Sequence, residues 1–131
     1  MAKKILIIAN KIVFPSLDGG SLAIQRLVTT LVKQGYMIDI ICITKDKNNL
    51  PATKKDQTIK NIRQVIFKKK MNFNLILFLK SIIKQNSYQA LRFYDLSIQK
   101  KIQQLVDEQE YKAIVFESVF TAIYLQYLRL D

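Results

Sequence analysis

The chain has 131 residues, half of them hydrophobic, with one cysteine and no histidine. That length and apolar content suit a single packed domain burying roughly two thirds of its unfolded surface, which excludes general disorder. The lack of histidine excludes histidine-based triads and most zinc sites, and the formal charge of +11 points to an anionic partner.

The first predicted element is a strand through Ile5, Leu6, Ile7, Ile8 and Ala9. Its apolar run after Lys3-Lys4 falls short of the about 7–15 residues of a signal-peptide core. No apolar stretch in the chain nears the about 20 residues of a membrane span. The expected location is therefore cytoplasmic, with peripheral contact to the inner face of the cytoplasmic membrane left open. A loop follows, Phe14-Pro15-Ser16-Leu17-Asp18-Gly19-Gly20, and then a helix from about Ser21 to Gln34. Ile24, Leu27, Val28, Leu31 and Val32 have the spacing of a core-facing stripe, and Gly35 suits the left-handed position that ends a helix.

A second strand, Ile38 to Thr44, is apolar on both faces, as a central parallel strand requires. It contains Cys42, which reads as a small buried hydrophobe. Lys45 to Thr58 is polar, holds Pro51, and reads as a surface loop. Charge concentrates here: Lys45 to Lys70 carries net +7, while residues 71–131 carry only +1. A shorter strand is expected over Ile62 to Phe67, then helices over Phe73 to Gln85 and Tyr94 to Gln109. A fourth strand, Lys112 to Glu117, is followed by a helix over Val119 to Leu130. The order predicts one domain over residues 1–131 of the α/β class, Rossmann-like, with an open, mostly parallel sheet and helices on both faces.

Ligands of such sheets sit outside the carboxyl ends of the strands. That edge collects Asn10, the Phe14 to Gly20 loop, Thr44-Lys45 and Glu117-Ser118. No G-x-G-x-x-G follows the first strand, and Gly20 is followed by Ser21-Leu22 rather than the Lys-Ser/Thr of a P-loop. A receiver domain would want acidic residues where Asn10 stands. Gly19 and Gly20 leave room for a phosphate or sugar to approach backbone amides, or else serve turn geometry alone.

Phe14-Pro15-x-x-x-Gly19-Gly20, then Leu27-x-x-x-Leu31-x-x-x-Gly35 and the strand to Thr44, resemble the start of a family 4 glycosyltransferase of the GT-B type. The resemblance implies an N-terminal, acceptor-side domain of a transferase used in polysaccharide or lipid-linked glycan synthesis. Its donor substrate would be a nucleotide sugar, bound mainly by a second domain, with no other cofactor and no metal. It carries Gly19 and Gly20 over as substrate-approach positions; Asn10, from its place on the carboxyl edge, is a further candidate cleft residue. At the fourth strand many relatives have a histidine-containing motif, and this chain has Val115-Phe116-Glu117-Ser118. Glu117 could act as base or acceptor contact, or cap the next helix. The chain corresponds to the first half of such an enzyme and is expected to be inactive alone. The competing expectation is a non-catalytic, basic binding or scaffold module.

Lys68-Lys69-Lys70-Met71-Asn72-Phe73 leads into a very apolar helix. Met71, Leu75, Phe78 and Ile82 form one stripe, with Phe73, Leu77, Lys80 and Lys84 opposite. Apolar residues beside lysines suit contact with anionic lipid headgroups, the alternatives being burial in the core or a partner-protein face. Tyr88, Phe93 and Tyr94 flank Arg92, but no nucleic-acid-binding motif accompanies them.

Overall fold

In the computed structural model, which describes residues 3–45, 56–69, 74–85 and 87–130, the alternation of apolar residues along the strands builds a two-sided core. The strands are β1 (Lys3–Ala9), β2 (Tyr36–Lys45), β3 (Asp56–Ile59), β4 (Ile62–Lys69) and β5 (Tyr111–Glu117). The helices are α1 (Gly19–Lys33), α2 (Leu75–Ile83), α3 (Tyr88–Phe93) and α4 (Leu96–Glu108), with a 3-10 helix over Thr121–Tyr127. The sheet order is β3-β4-β2-β1-β5, with β4, β2, β1 and β5 mutually parallel. This is a Rossmann-like α/β domain with helices on both faces of the sheet.

Register sets the two cores. Ile5 pairs with Ile38 and Ile7 with Ile40, which puts them on one face with Ala9 and Cys42. There they meet Ile24 and Val28 of α1. The alternate residues Leu6, Ile8, Ile41 and Ile43 face the other way, against Ile98, Ile102 and Leu105 of α4, Phe93 of α3 and Tyr124 of the 3-10 helix. Strands apolar on both faces can satisfy only such a central position. Leu27, on the margin of the α1 stripe, is exposed rather than packed. Gly35 follows α1 at φ +88, and its amide donates to the Val32 carbonyl.

Four elements differ from the sequence expectation, the first being α3, a short helix over Tyr88–Phe93 between the two helices expected there. The end of the expected Lys45 to Thr58 loop contributes an edge strand, β3, antiparallel to β4 through a tight turn at Lys60-Asn61. Asn61 takes φ 65 in that turn, a conformation asparagine tolerates. The helix expected over Tyr94 to Gln109 starts two residues later, because Asp95 is extended and caps the amides of Ser97 and Ile98. The segment after β5 winds as a 3-10 helix rather than an α-helix.

Candidate functional site

The carboxyl edge of the parallel strands holds the expected residues. After β1 the chain does not leave for solvent: Ile12, Val13 and Phe14 turn back into the core. Buried backbone amides must be paired, and Gln64 of β4 supplies the partner. Its Oε1 accepts from the amides of Val13 at 3.1 Å and Phe14 at 2.9 Å, while its Nε2 donates to the Phe14 carbonyl at 2.7 Å. The Cys42 thiol donates to the same Oε1 at 3.3 Å, and burial pushes that thiol up to about 12. The Phe14–Pro15 peptide is cis.

The clamped loop delivers Asp18 to the start of α1. The Asp18 carboxylate accepts from the Ser21 amide at 2.7 Å, and Ser21 Oγ accepts in return from the Asp18 amide at 3.0 Å. That backbone bond, helped by Lys11, holds the Asp18 carboxyl below its ordinary range. Gly19 and Gly20 are the first two residues of the helix, both exposed, with first-turn amides that have no carbonyl one turn back. A Cβ at Gly19 would meet nothing, whereas one at Gly20 would reach the Lys11 ammonium at 2.5 Å. Lys11 also lies 3.4 Å from Asp18. The helix start therefore presents two amide donors, one ammonium and one carboxylate, a set that fits a hydroxyl-rich ligand better than a bare phosphate.

Strand register puts Asn10 and Glu117 at the same carboxyl edge, since Ala9 pairs with Glu117 across β1 and β5. Both side chains are half-buried. Directly after Glu117, Ser118 takes φ 111, a region a non-glycine residue occupies at a cost of about 1–3 kcal/mol. Its Oγ accepts from the Phe120 amide, and its carbonyl accepts from the amide and hydroxyl of Thr121. Strain of this kind tends to cluster at functional sites, and here it lies next to a half-buried carboxylate at a strand end. Nothing in the sequence around Ser118 announces it. Gln64 was equally hidden, because its partners lie 50 residues away.

The basic set is divided by the fold. Lys68 is exposed, but Lys69 is half-buried and its ammonium donates to the Tyr94 carbonyl. Burial lowers the Lys69 pKa, partly opposed by Asp95, so this lysine ties β4 to the α3–α4 junction. Lys70, Met71 and Phe73 fall outside the described residues. Lys80 and Lys84 are exposed on and just after α2, and Leu77 is half-buried. The stripe of Leu75, Phe78 and Ile82, opposite Leu77, faces solvent.

Two open grooves lie at the other, amino edge of the sheet, around Gln103, Asp107 and Arg129 and around Lys3, Lys4 and Glu110. In the first, Gln103 already bonds the amide and carbonyl of Arg129. Among the described residues no three metal-ligating side chains come together. No protein-family model, curated protein or solved structure matches the chain.

Proposed function

We propose that this domain is the acceptor-side, N-terminal half of a GT-B glycosyltransferase that moves a sugar from a nucleotide-sugar donor to a hydroxyl of a polysaccharide or lipid-linked acceptor. The observation that carries the reading is the mixed donor and acceptor set at the start of α1, on the same carboxyl edge as Glu117. In that role the acceptor hydroxyl binds between the first-turn amides of α1 and the Asp18 carboxylate. Glu117 takes the hydroxyl proton as the oxygen attacks the anomeric carbon. The bond from that carbon to the donor phosphate breaks, and the nucleoside diphosphate leaves with the electron pair. Holding donor and acceptor together needs a second, donor-binding domain, so the chain by itself is inactive in this reading.

The competing reading is a non-catalytic, basic Rossmann-like module. Glu117→Gln and Gly20→Val separate the two when tested in the complete protein with labelled nucleotide sugars. Glu117→Gln should lower kcat by about 100-fold or more with little change in fold, as removal of a general base does. Gly20→Val should raise KM for the acceptor, because its side chain displaces Lys11 and crowds the amides. Unchanged turnover in both variants would sink the transfer reading. An immunoblot of source cells supplies a second check: a native band well above 15.3 kDa fits a two-domain enzyme. A band at that mass favours the module.

A further inference from the structure

We infer that α2 is an in-plane membrane anchor, seating its outer face in the interface of an anionic bilayer. Among the described residues, the most buried side of the helix is the one carrying Ser81, which is buried, and Leu77, which is half-buried. At 3.6 residues per turn, Phe78, Ile82, Leu75, Leu79, Ile83 and Ile76 follow one another around a continuous arc of roughly 160°. That arc is in solvent: Ile76 is 67 % exposed, Leu79 51 %, Ile82 59 % and Ile83 81 %. Contiguous exposed apolar surface of this kind marks an interaction site. Its nine residues extend only about 14 Å, so the helix lies along a bilayer rather than across one.

What covers the arc follows from its rims. Lys80 and Lys84 come next on the wheel after Ile76, between the arc and the packed side. Beyond Phe78, on the other rim, the Tyr88 ring meets Phe78 edge-on at 5.5 Å, and the Arg92 guanidinium lies 5.5 Å from the Tyr88 ring centre. Cations with long apolar stems and a tyrosine, bordering an apolar face, match the boundary between acyl chains and headgroups. The wider field agrees, because residues 57–94 contain eight Lys/Arg and no Asp/Glu. A protein partner would need a matching acidic groove, whereas an anionic bilayer supplies both apolar depth and negative charge at once. The inference does not depend on sugar transfer.

Flotation of the full chain with vesicles tests it. Binding should be strong to phosphatidylcholine mixed with phosphatidylglycerol, weak to phosphatidylcholine alone, and reduced by salt. The pair Ile76→Ser and Ile83→Ser alters exposed side chains only, so the fold is kept while partitioning drops at least about tenfold. Lys80→Gln with Lys84→Gln should lower binding to the mixed vesicles by about tenfold or more. The chain has no tryptophan, so Leu79→Trp gives a single reporter whose emission should shift to the blue on mixed vesicles. Unchanged partitioning of the isoleucine pair, or no spectral shift, would overturn the anchor. So would a lipid-free dimer that the isoleucine pair converts to monomer, since the arc would then be filled by a second copy. No sugar donor or acceptor enters the assay, so its failure leaves the transfer reading untouched.

Discussion

Gln64 carries more of the site than any residue in the carboxyl-edge loop. One buried amide side chain satisfies two backbone donors and one carbonyl of the Val13–Phe14 segment. Gln64→Leu keeps the volume and strands those groups. Each buried unsatisfied group costs about 1–3 kcal/mol, so the variant should lose about 3 kcal/mol in urea unfolding. A loss under about 1 kcal/mol would mean the loop is held by packing alone. Sequence could not point to Gln64, since a glutamine in a strand reads as an outward residue and its partners are distant. Gly35 was legible for the opposite reason: its role is set by the helix immediately before it.

Elements with a clean period were readable and those without one were not. The stripe of α1 and the two-sided β1 and β2 appear where spacing puts them. The α2 sequence, LILFLKSII, is apolar nearly all round, so it has no face that sequence alone can assign to the core. Capping decides the α3–α4 boundary instead, through Asp95. Its carboxylate is held below the ordinary range chiefly by the Ser97 hydroxyl, with the Ile98 and Ser97 amides and Lys69 acting in the same direction. A depressed carboxylate stabilises the fold above its unfolded pKa and loses that contribution as pH falls through its folded value. Asp95→Ala should therefore cost about 1 kcal/mol at neutral pH, and the gap from the parent protein should narrow in acid. An unchanged gap at low pH would show that the substitution acts through packing rather than through the cap's charge.

Across the whole molecule, two tyrosine hydroxyls, one buried and one half-buried, tie distant segments together. Tyr111, at the start of β5, donates to Asp39 of β2 at 2.5 Å, and Arg63 of β4 grips both oxygens of that carboxylate at 3.0 and 2.8 Å. Three parallel strands are thereby joined on one face near their amino ends. Tyr124 accepts from the Asp95 amide at 3.0 Å and donates to the Phe93 carbonyl, locking the 3-10 helix to the α3–α4 junction. Burial raises both phenols well above their ordinary value, with the Asp39 bond adding to the effect at Tyr111. A folded pKa above the unfolded one means the stabilisation is complete below the unfolded value, near pH 10. It is lost as pH climbs through the folded value. Lysines shed charge over the same range, which relieves the repulsion of a +11 chain and opposes the loss. The tyrosine effect should prevail, because the Tyr124 phenolate would have to form inside the core and that of the half-buried Tyr111 beside the Asp39 carboxylate. Absorbance at 295 nm and far-ultraviolet circular dichroism, followed together from neutral pH into alkali, should show a late cooperative tyrosine step coincident with unfolding. Tyr111→Phe with Tyr124→Phe should remove that step. If every tyrosine ionises near pH 10 while the dichroism holds, the hydroxyls are not the ties described.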